Sequence, residues 1–164
     1  MSNSLNGQPI TDPSKFLLEL EDQLGDLLGV PQIYMAGSAR RGKSPVTDLD
    51  LVILFNDENL DSNSTITGVK SALEVKRSVI NERLIHHPEF SSVTETGLGV
   101  QFLWRGSQVD LFPTLPEIQS ASLLIWTGSR FHNMHMMISA GKKGLMLTPF
   151  GLWCSGDPCT LVTD

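Results

Sequence analysis

Asp48-Leu49-Asp50-Leu51-Val52-Ile53-Leu54-Phe55 is the stretch that most narrows what this chain can fold into. Apart from Asp50, the run from Leu49 to Phe55 is apolar and rich in Leu, Val and Ile, which predicts a buried strand. Side chains two apart on a strand share a face, so Asp48 and Asp50 point the same way. Carboxylates that close raise one another's pKa unless a cation neutralises them. Hard oxygen donors with little Cys or His nearby suit magnesium or manganese. A surface strand with two solvated aspartates is the alternative that this pair alone leaves open.

A second apolar segment supplies a third carboxylate. Gly97 to Trp104 reads as a strand, Arg105-Gly106-Ser107 as a turn, and Gln108 to Phe112 as the return strand, with Asp110 between Val109 and Leu111. Upstream, Gln32 to Ala36 reads as a strand leading into Gly37-Ser38-Ala39-Arg40-Arg41-Gly42. Glycines let backbone N–H groups approach an anion, Ser38 adds a hydroxyl donor, and an arginine fork matches phosphate oxygens. The spacing is not that of a P-loop. Without the downstream aspartates, a loop with two solvated arginines is the simpler reading.

Gly-Ser, a spacer, and Asp-x-Asp on a strand resemble the nucleotidyltransferase superfamily, and Arg40-Arg41-Gly42 narrows the resemblance towards family X, the polymerase beta-like DNA polymerases. Leu123-Leu124-Ile125-Trp126-Thr127-Gly128-Ser129-Arg130-Phe131-His132-Asn133 is similar to the aromatic-Thr-Gly-Ser motif that joins palm to thumb in that family. Gly144-Leu145 and Thr148-Pro149-Phe150-Gly151-Leu152-Trp153 resemble its thumb strands, so the likeness runs from about Tyr34 to the C-terminus. It implies an α+β fold: a nucleotidyltransferase palm with a mixed sheet and flanking helices over residues 1–118, and a small thumb-like part over 119–164, short at its C-terminus. It also implies that Asp48, Asp50 and Asp110 are catalytic and bind two Mg2+ ions, with Mn2+ as a substitute. Gly37, Ser38 and Arg41 would hold the triphosphate of a dNTP. Trp126 and Gly128 would line its sugar and base, Asn133 would reach its minor-groove edge, and Thr127 and Ser129 would also belong to the nucleotide-binding set. The activity implied is addition of a nucleotide to a primer 3′-hydroxyl, as in gap filling or DNA repair. Transfer to RNA, protein or a small molecule, or nucleotide binding without catalysis, are the alternatives.

The chain departs from the family pattern at several places. Thr47 stands where glycine is common, Arg130 where several relatives are acidic, and Met134, Met136 and Met137 where some place a template-contacting arginine. Gln108 and Phe112 replace basic residues. About 30 residues precede the first palm strand, too few for helix-hairpin-helix clamps or a lyase region, so the architecture is similar to the smallest viral members and lyase activity is expected to be absent.

Charge bears on the polymer partner. Lys and Arg number 12 against 18 Asp and Glu, a formal charge of −6. Five of the acids precede Tyr34 beside Lys15 alone, leaving 13 acidic and 11 basic residues beyond. Counterion release from phosphates needs basic groups, so binding to primer-template or gapped DNA is expected to be weak and salt-sensitive.

The remainder reads as scaffold. Asp12-Pro13 starts a helix with Phe16, Leu17, Leu20, Leu24, Leu27 and Leu28 inward, ending at Gly29. A second helix runs from Thr67 to His86, with Val69, Leu73, Val79 and Leu84 inward and Lys70, Lys76, Arg77 and Arg83 on a solvated face. Pro116 opens a helix through Ile125, and Ser129 caps the next, which runs to Gly141-Lys142-Lys143-Gly144. His132 and His135 lack further ligands at zinc-site spacing. Cys154 and Cys159 flank a Gly-Asp-Pro turn and are expected as free thiols. With no membrane-spanning run or signal segment, an intracellular, soluble monomer is expected.

Overall fold

A computed structural model describes residues 7–29, 32–56, 60, 63–156 and 160–162. Helix α1 (Pro13–Leu28) is capped by the Asp12 carboxylate, which accepts from the Lys15 N–H at 3.0 Å, and ends at Gly29 in the left-handed region. Leu20, Leu24 and Leu28, four residues apart, form its buried stripe. Strand β1 (Gln32–Met35) leads into the single-turn helix α2 (Gly37–Arg40), and β2 (Asp48–Leu54) follows. After α3 (Ile66–Ile85) come β3 (Phe90–Glu95), β4 (Val100–Trp104) and β5 (Ser107–Thr114). A 3₁₀ turn at Pro116–Ile118 opens α4 (Gln119–Thr127), and α5 (Arg130–Gly141) precedes the hairpin of β6 (Leu145–Thr148) and β7 (Gly151–Cys154).

Five strands form one mixed sheet in the order β1-β2-β5-β4-β3. β2 and β5 run parallel at its centre, and the other neighbours are antiparallel. Leu49, Leu51 and Ile53 of β2 join Val109 and Leu111 of β5 on one face, where they pack with the stripes of α1 and α3. The opposite face carries Asp48, Asp50 and Asp110, and α2 and α4 pack against β2. The expected α+β arrangement, a mixed sheet with flanking helices, is therefore the one observed.

Helix α3 corrects the expected facing. Its buried positions are Val69, Leu73, Lys76, Ile80 and Leu84, so Ile80 takes the inward place assigned to Val79, and Lys76 is turned in rather than out. A lysine tolerates this because its aliphatic stem packs while the ammonium lies 5.6 Å from the centre of the Phe55 ring. The other three basic residues are also engaged. Arg83 donates to the carbonyls of Leu27 and Leu28 at 3.1 and 2.7 Å, satisfying the end of α1, and Arg77 pairs with Glu95 at 2.5 Å. Lys70 is exposed, with its ammonium over the Phe150 ring.

The strand β3 has no counterpart in the sequence reading. Phe90 and Val93 are its apolar positions, and its register shifts between Ser91 and Thr94, as suits an irregular edge strand. Arg105 and Gly106, both at positive φ, make a two-residue turn between β4 and β5. The β6–β7 hairpin is pinned to the main core through Trp153, which is fully buried with Ile118, Leu115 and Leu161 and donates from its indole N–H to the Phe150 carbonyl at 3.2 Å. A Cβ on Gly151 would lie 2.8 Å from Leu161 and 3.0 Å from Ile118, so that position has no room for a side chain. Beyond the hairpin, Trp153 bridges Leu161 in the antiparallel sense. Cys154 is exposed and unbridged. Cys159 and the Asp157-Pro158 part of the expected turn lie outside the described residues, as do Thr163 and Asp164.

Trp153→Ala removes a large side chain from this junction and is expected to cost about 3–5 kcal/mol in urea unfolding. A loss under about 1 kcal/mol would mean that the hairpin is not part of the cooperative core.

Candidate active site

The parallel register of β2 and β5 places Asp50 opposite Asp110 and Asp48 opposite Gln108. All three carboxylates share one face, and one oxygen from each lies within 4.8 Å of the others. Among the described residues this is the one group of three or more acidic, histidine or cysteine side chains so placed. His132 and His135 are exposed on α5.

The surroundings of the three acids differ. Asp50 is pushed up from its ordinary 3.8 to about 7, first by burial and then by the charges of Asp48 and Asp110, with Arg41 opposing. Asp110 is also raised, chiefly by burial, against hydrogen bonds from Gln108 and Gln101. Those side-chain amides donate to Asp110 Oδ2 and Oδ1, each at 2.9 Å. The Thr47 hydroxyl, at the position where glycine was expected, donates to Asp48 Oδ1 at 3.0 Å. An all-oxygen donor set of mutually repelling, partly buried carboxylates fits a hard divalent cation.

The Gly37–Arg40 turn is packed directly on this group. A Cβ at Gly37, whose φ is +55°, would fall 1.8 Å from Asp50 Oδ2, and the Ala36 N–H donates to the Asp50 carbonyl at 2.8 Å. Only a glycine lets the backbone come so near the carboxylate. Arg41, at the end of the turn, reaches across to donate to the Thr127 carbonyl at the end of α4.

Gly37, Ser38, Arg41, Asp48, Asp50, Trp126, Thr127, Gly128, Ser129 and Asn133 all border one open cleft of about 1050 Å³. The residues identified from sequence are thus brought together, with Asp110 joining them through the carboxylate group. Phe131, Met134, Met137 and Ile138 form an apolar wall of the same cleft, and Arg130 also borders it. Met136 does not border it.

Local contacts explain how the wall is held. Trp126 stacks on Phe112 with ring centres 3.8 Å apart and planes within 8°, so the aromatic two residues beyond Asp110 supports α4. Gly128 breaks the chain between α4 and α5 at a φ of +70°, through a cis peptide to Ser129. The Ser129 hydroxyl caps α5. Asn133 donates from Nδ2 to the Ile125 carbonyl at 2.7 Å, tying α5 back to α4. Ser122 links the Thr114 hydroxyl of β5 to the Pro149 carbonyl, at 2.9 and 2.7 Å. Three residues around the site, Gln101, Gln108 and Phe112, carry no role in the sequence reading. The signal for Gln101 was a lone amide in the apolar strand facing Asp110, readable only once the register is known.

Because Asp50 holds a proton in the folded chain that it has released in the unfolded one, its contribution favours the fold at low pH. That contribution is lost as pH rises from about 4 through about 7. In chelator, the melting temperature of the wild type relative to Asp50→Asn is expected to fall across this window. The shift should be a few degrees, about 2–4 °C per kcal/mol for a chain of this size. Adding Mn2+ at pH 8 should raise the wild type, and much less so at pH 5, where protons compete for the same oxygens. Parallel melting profiles for the two proteins would contradict the assignment.

No family model matches the chain. In sequence it is similar to DNA polymerase lambda of Arabidopsis thaliana, 28% identical over 130 residues that cover 74% of this chain and 24% of that protein. In structure it is similar to polymerase beta of Leishmania infantum. The ternary gap complex gives a TM-score of 0.69 at 19% identity, covering 92% of this chain and 53% of that one. The ternary P/T complex gives 0.69 at 18% identity, with 94% and 60% covered. The chain therefore spans about a quarter of the length of the curated relative and little more than half that of the solved chains. Its fold is like that of polymerase beta, and its sequence is similar to that of DNA polymerase lambda.

Proposed function

We propose that the protein is a metal-dependent nucleotidyltransferase that adds a deoxynucleoside monophosphate from a dNTP to a primer 3′-hydroxyl, releasing pyrophosphate. The observation that carries this reading is the convergence of Asp48, Asp50 and Asp110 within 4.8 Å, beside a cleft bordered by the Gly37–Arg41 turn and the Trp126–Asn133 segment. The likeness to polymerase beta ternary gap and P/T complexes, and to DNA polymerase lambda, supports DNA as the acceptor.

In this reading residues 1–118 are the palm and 119–164 the thumb-like part. Asp48 and Asp50 on β2 and Asp110 on β5 hold two divalent cations, Mg2+ or Mn2+. When bound, these ions act as Lewis acids that favour the deprotonated primer hydroxyl and balance charge on the departing pyrophosphate. Asp110, on the neighbouring strand, is the carboxylate nearest the primer terminus. The hydroxyl of Ser38 and the guanidinium of Arg41 bind triphosphate oxygens, with the backbone at Gly37 free of a side chain that would keep them away. Arg41 has five N–H donors, so its bond to the Thr127 carbonyl leaves others for phosphate. Trp126, Thr127, Gly128 and Ser129 bound the sugar and base, and Asn133 fixes the α5 end of that wall. Transfer to another acceptor is the second reading, favoured by the formal charge of −6.

Extension of a labelled primer on single-nucleotide-gapped and template-free DNA, with each dNTP and Mg2+ or Mn2+ at low salt, tests the proposal. Addition should depend on template and be abolished by Asp110→Ala. Arg41→Ala should weaken triphosphate binding by about 1.5–3 kcal/mol in calorimetry, the range of a charge-assisted hydrogen bond. Triphosphate binding without addition to any DNA would redirect the assignment to another acceptor.

A further inference from the structure

Asp110 is held differently from its two partners. One amide N–H reaches each of its oxygens, from Gln101 to Oδ1 and from Gln108 to Oδ2, both at 2.9 Å. The donors arrive from two strands. Gln101 stands directly opposite Asp110 in the antiparallel β4–β5 pair, whereas Gln108 lies two residues before it on the same face of β5, beside Asp48 of β2. Both glutamines are buried, at 8% and 4% exposure, in strands that are otherwise mostly apolar. Polar side chains at such depth need partners, and here each partner is the same carboxylate.

Two consequences follow from the chemistry of an amide. One N–H on each oxygen fixes the rotation of the carboxyl group yet leaves each oxygen a second lone pair. The donors are also neutral, so they orient Asp110 without cancelling its charge, whereas a lysine or arginine in their place would compete with a cation for it.

We propose that Gln101 and Gln108 are positioning residues for divalent-cation binding: a two-strand amide clamp that keeps the Asp110 carboxylate within reach of Asp48 and Asp50. The proposal rests on reading the three carboxylates as a cation site, and it extends that site to five residues. Neither glutamine touches the cation or the reacting atoms. Both act through Asp110, as outer partners of metal ligands do, where loss typically weakens affinity by roughly ten- to a hundredfold.

The test is titration of the metal-stripped protein with Mn2+, following the free ion by electron paramagnetic resonance. Gln101→Met and Gln108→Met keep length and bulk but carry no donor, and Gln101→Asn keeps the amide while leaving it a methylene short. Each is expected to weaken Mn2+ binding by roughly ten- to a hundredfold. In an Asp110→Asn background, Gln101→Met should change Mn2+ affinity no further, a coupling that a merely structural role would not produce. Circular dichroism identifies any variant that fails to fold, and the other two then carry the comparison. Wild-type affinity in the folded glutamine variants, with affinity lost in Asp110→Asn, would overturn the clamp and leave the cation site standing. Wild-type affinity in Asp110→Asn would overturn both.

Discussion

In the parallel pair of β2 and β5, Asp50 stands opposite Asp110, and every other feature of the cleft depends on that register. A slip of one residue would turn the aspartates of one strand to the opposite face. What holds the register is the other side of the same strands. Leu49, Leu51, Ile53, Val109 and Leu111 are fully buried, and at about 1.5–3 kcal/mol for each such side chain their burial is worth on the order of 10 kcal/mol. Raising Asp50 from 3.8 to about 7 corresponds to about 4 kcal/mol at most. The apolar face therefore outweighs the cost of burying Asp50 beside the charges of Asp48 and Asp110. The clustered charge is a load carried by the core, and a bound cation would relieve it.

Alignment of the cleft's second wall comes from contacts that radiate from β5. Phe112, two residues beyond Asp110, supplies the stack for Trp126, and Thr114 begins the hydroxyl chain through Ser122 to Pro149. Arg41 closes the circuit by joining the Gly37–Arg40 turn to the end of α4. The turn, the carboxylates and the α4–α5 wall are thus linked through one strand pair. A change in the position of α4 would be felt at Arg41 as well as at Trp126.

Much of this was legible in the sequence, for reasons that can be stated residue by residue. The same-face placement of Asp48 and Asp50 follows from strand periodicity alone, and the α1 stripe and its Asp12 and Gly29 boundaries follow from helical spacing and capping. Legibility ended where tertiary context overrides local pattern. Lys76 is buried with its ammonium near the Phe55 ring, and Arg83 caps α1 although 55 residues separate them. β3 has too few apolar residues to announce a strand and is one only because β4 lies beside it. Gln101 is an unremarkable residue in its own strand, and only the antiparallel register sets it against Asp110.

Under the proposed reading, α5 shows what kind of ligand the cleft suits. A surface helix ordinarily turns its apolar stripe to the core, yet none of the side chains of α5 is buried, and Phe131, Met134, Met137 and Ile138 border the cleft instead. Its place is kept by packing against β6 and by the bond from Asn133 to Ile125 of α4. Arg41, Asp48 and Asp50 border the same cleft. Attraction of phosphate to arginine weakens as salt screens it, whereas contact of a flat apolar surface with methionine and phenylalanine does not. The two walls therefore ask for a ligand that is anionic at one end and planar and apolar at the other, and a nucleotide with its cations has that division within one molecule.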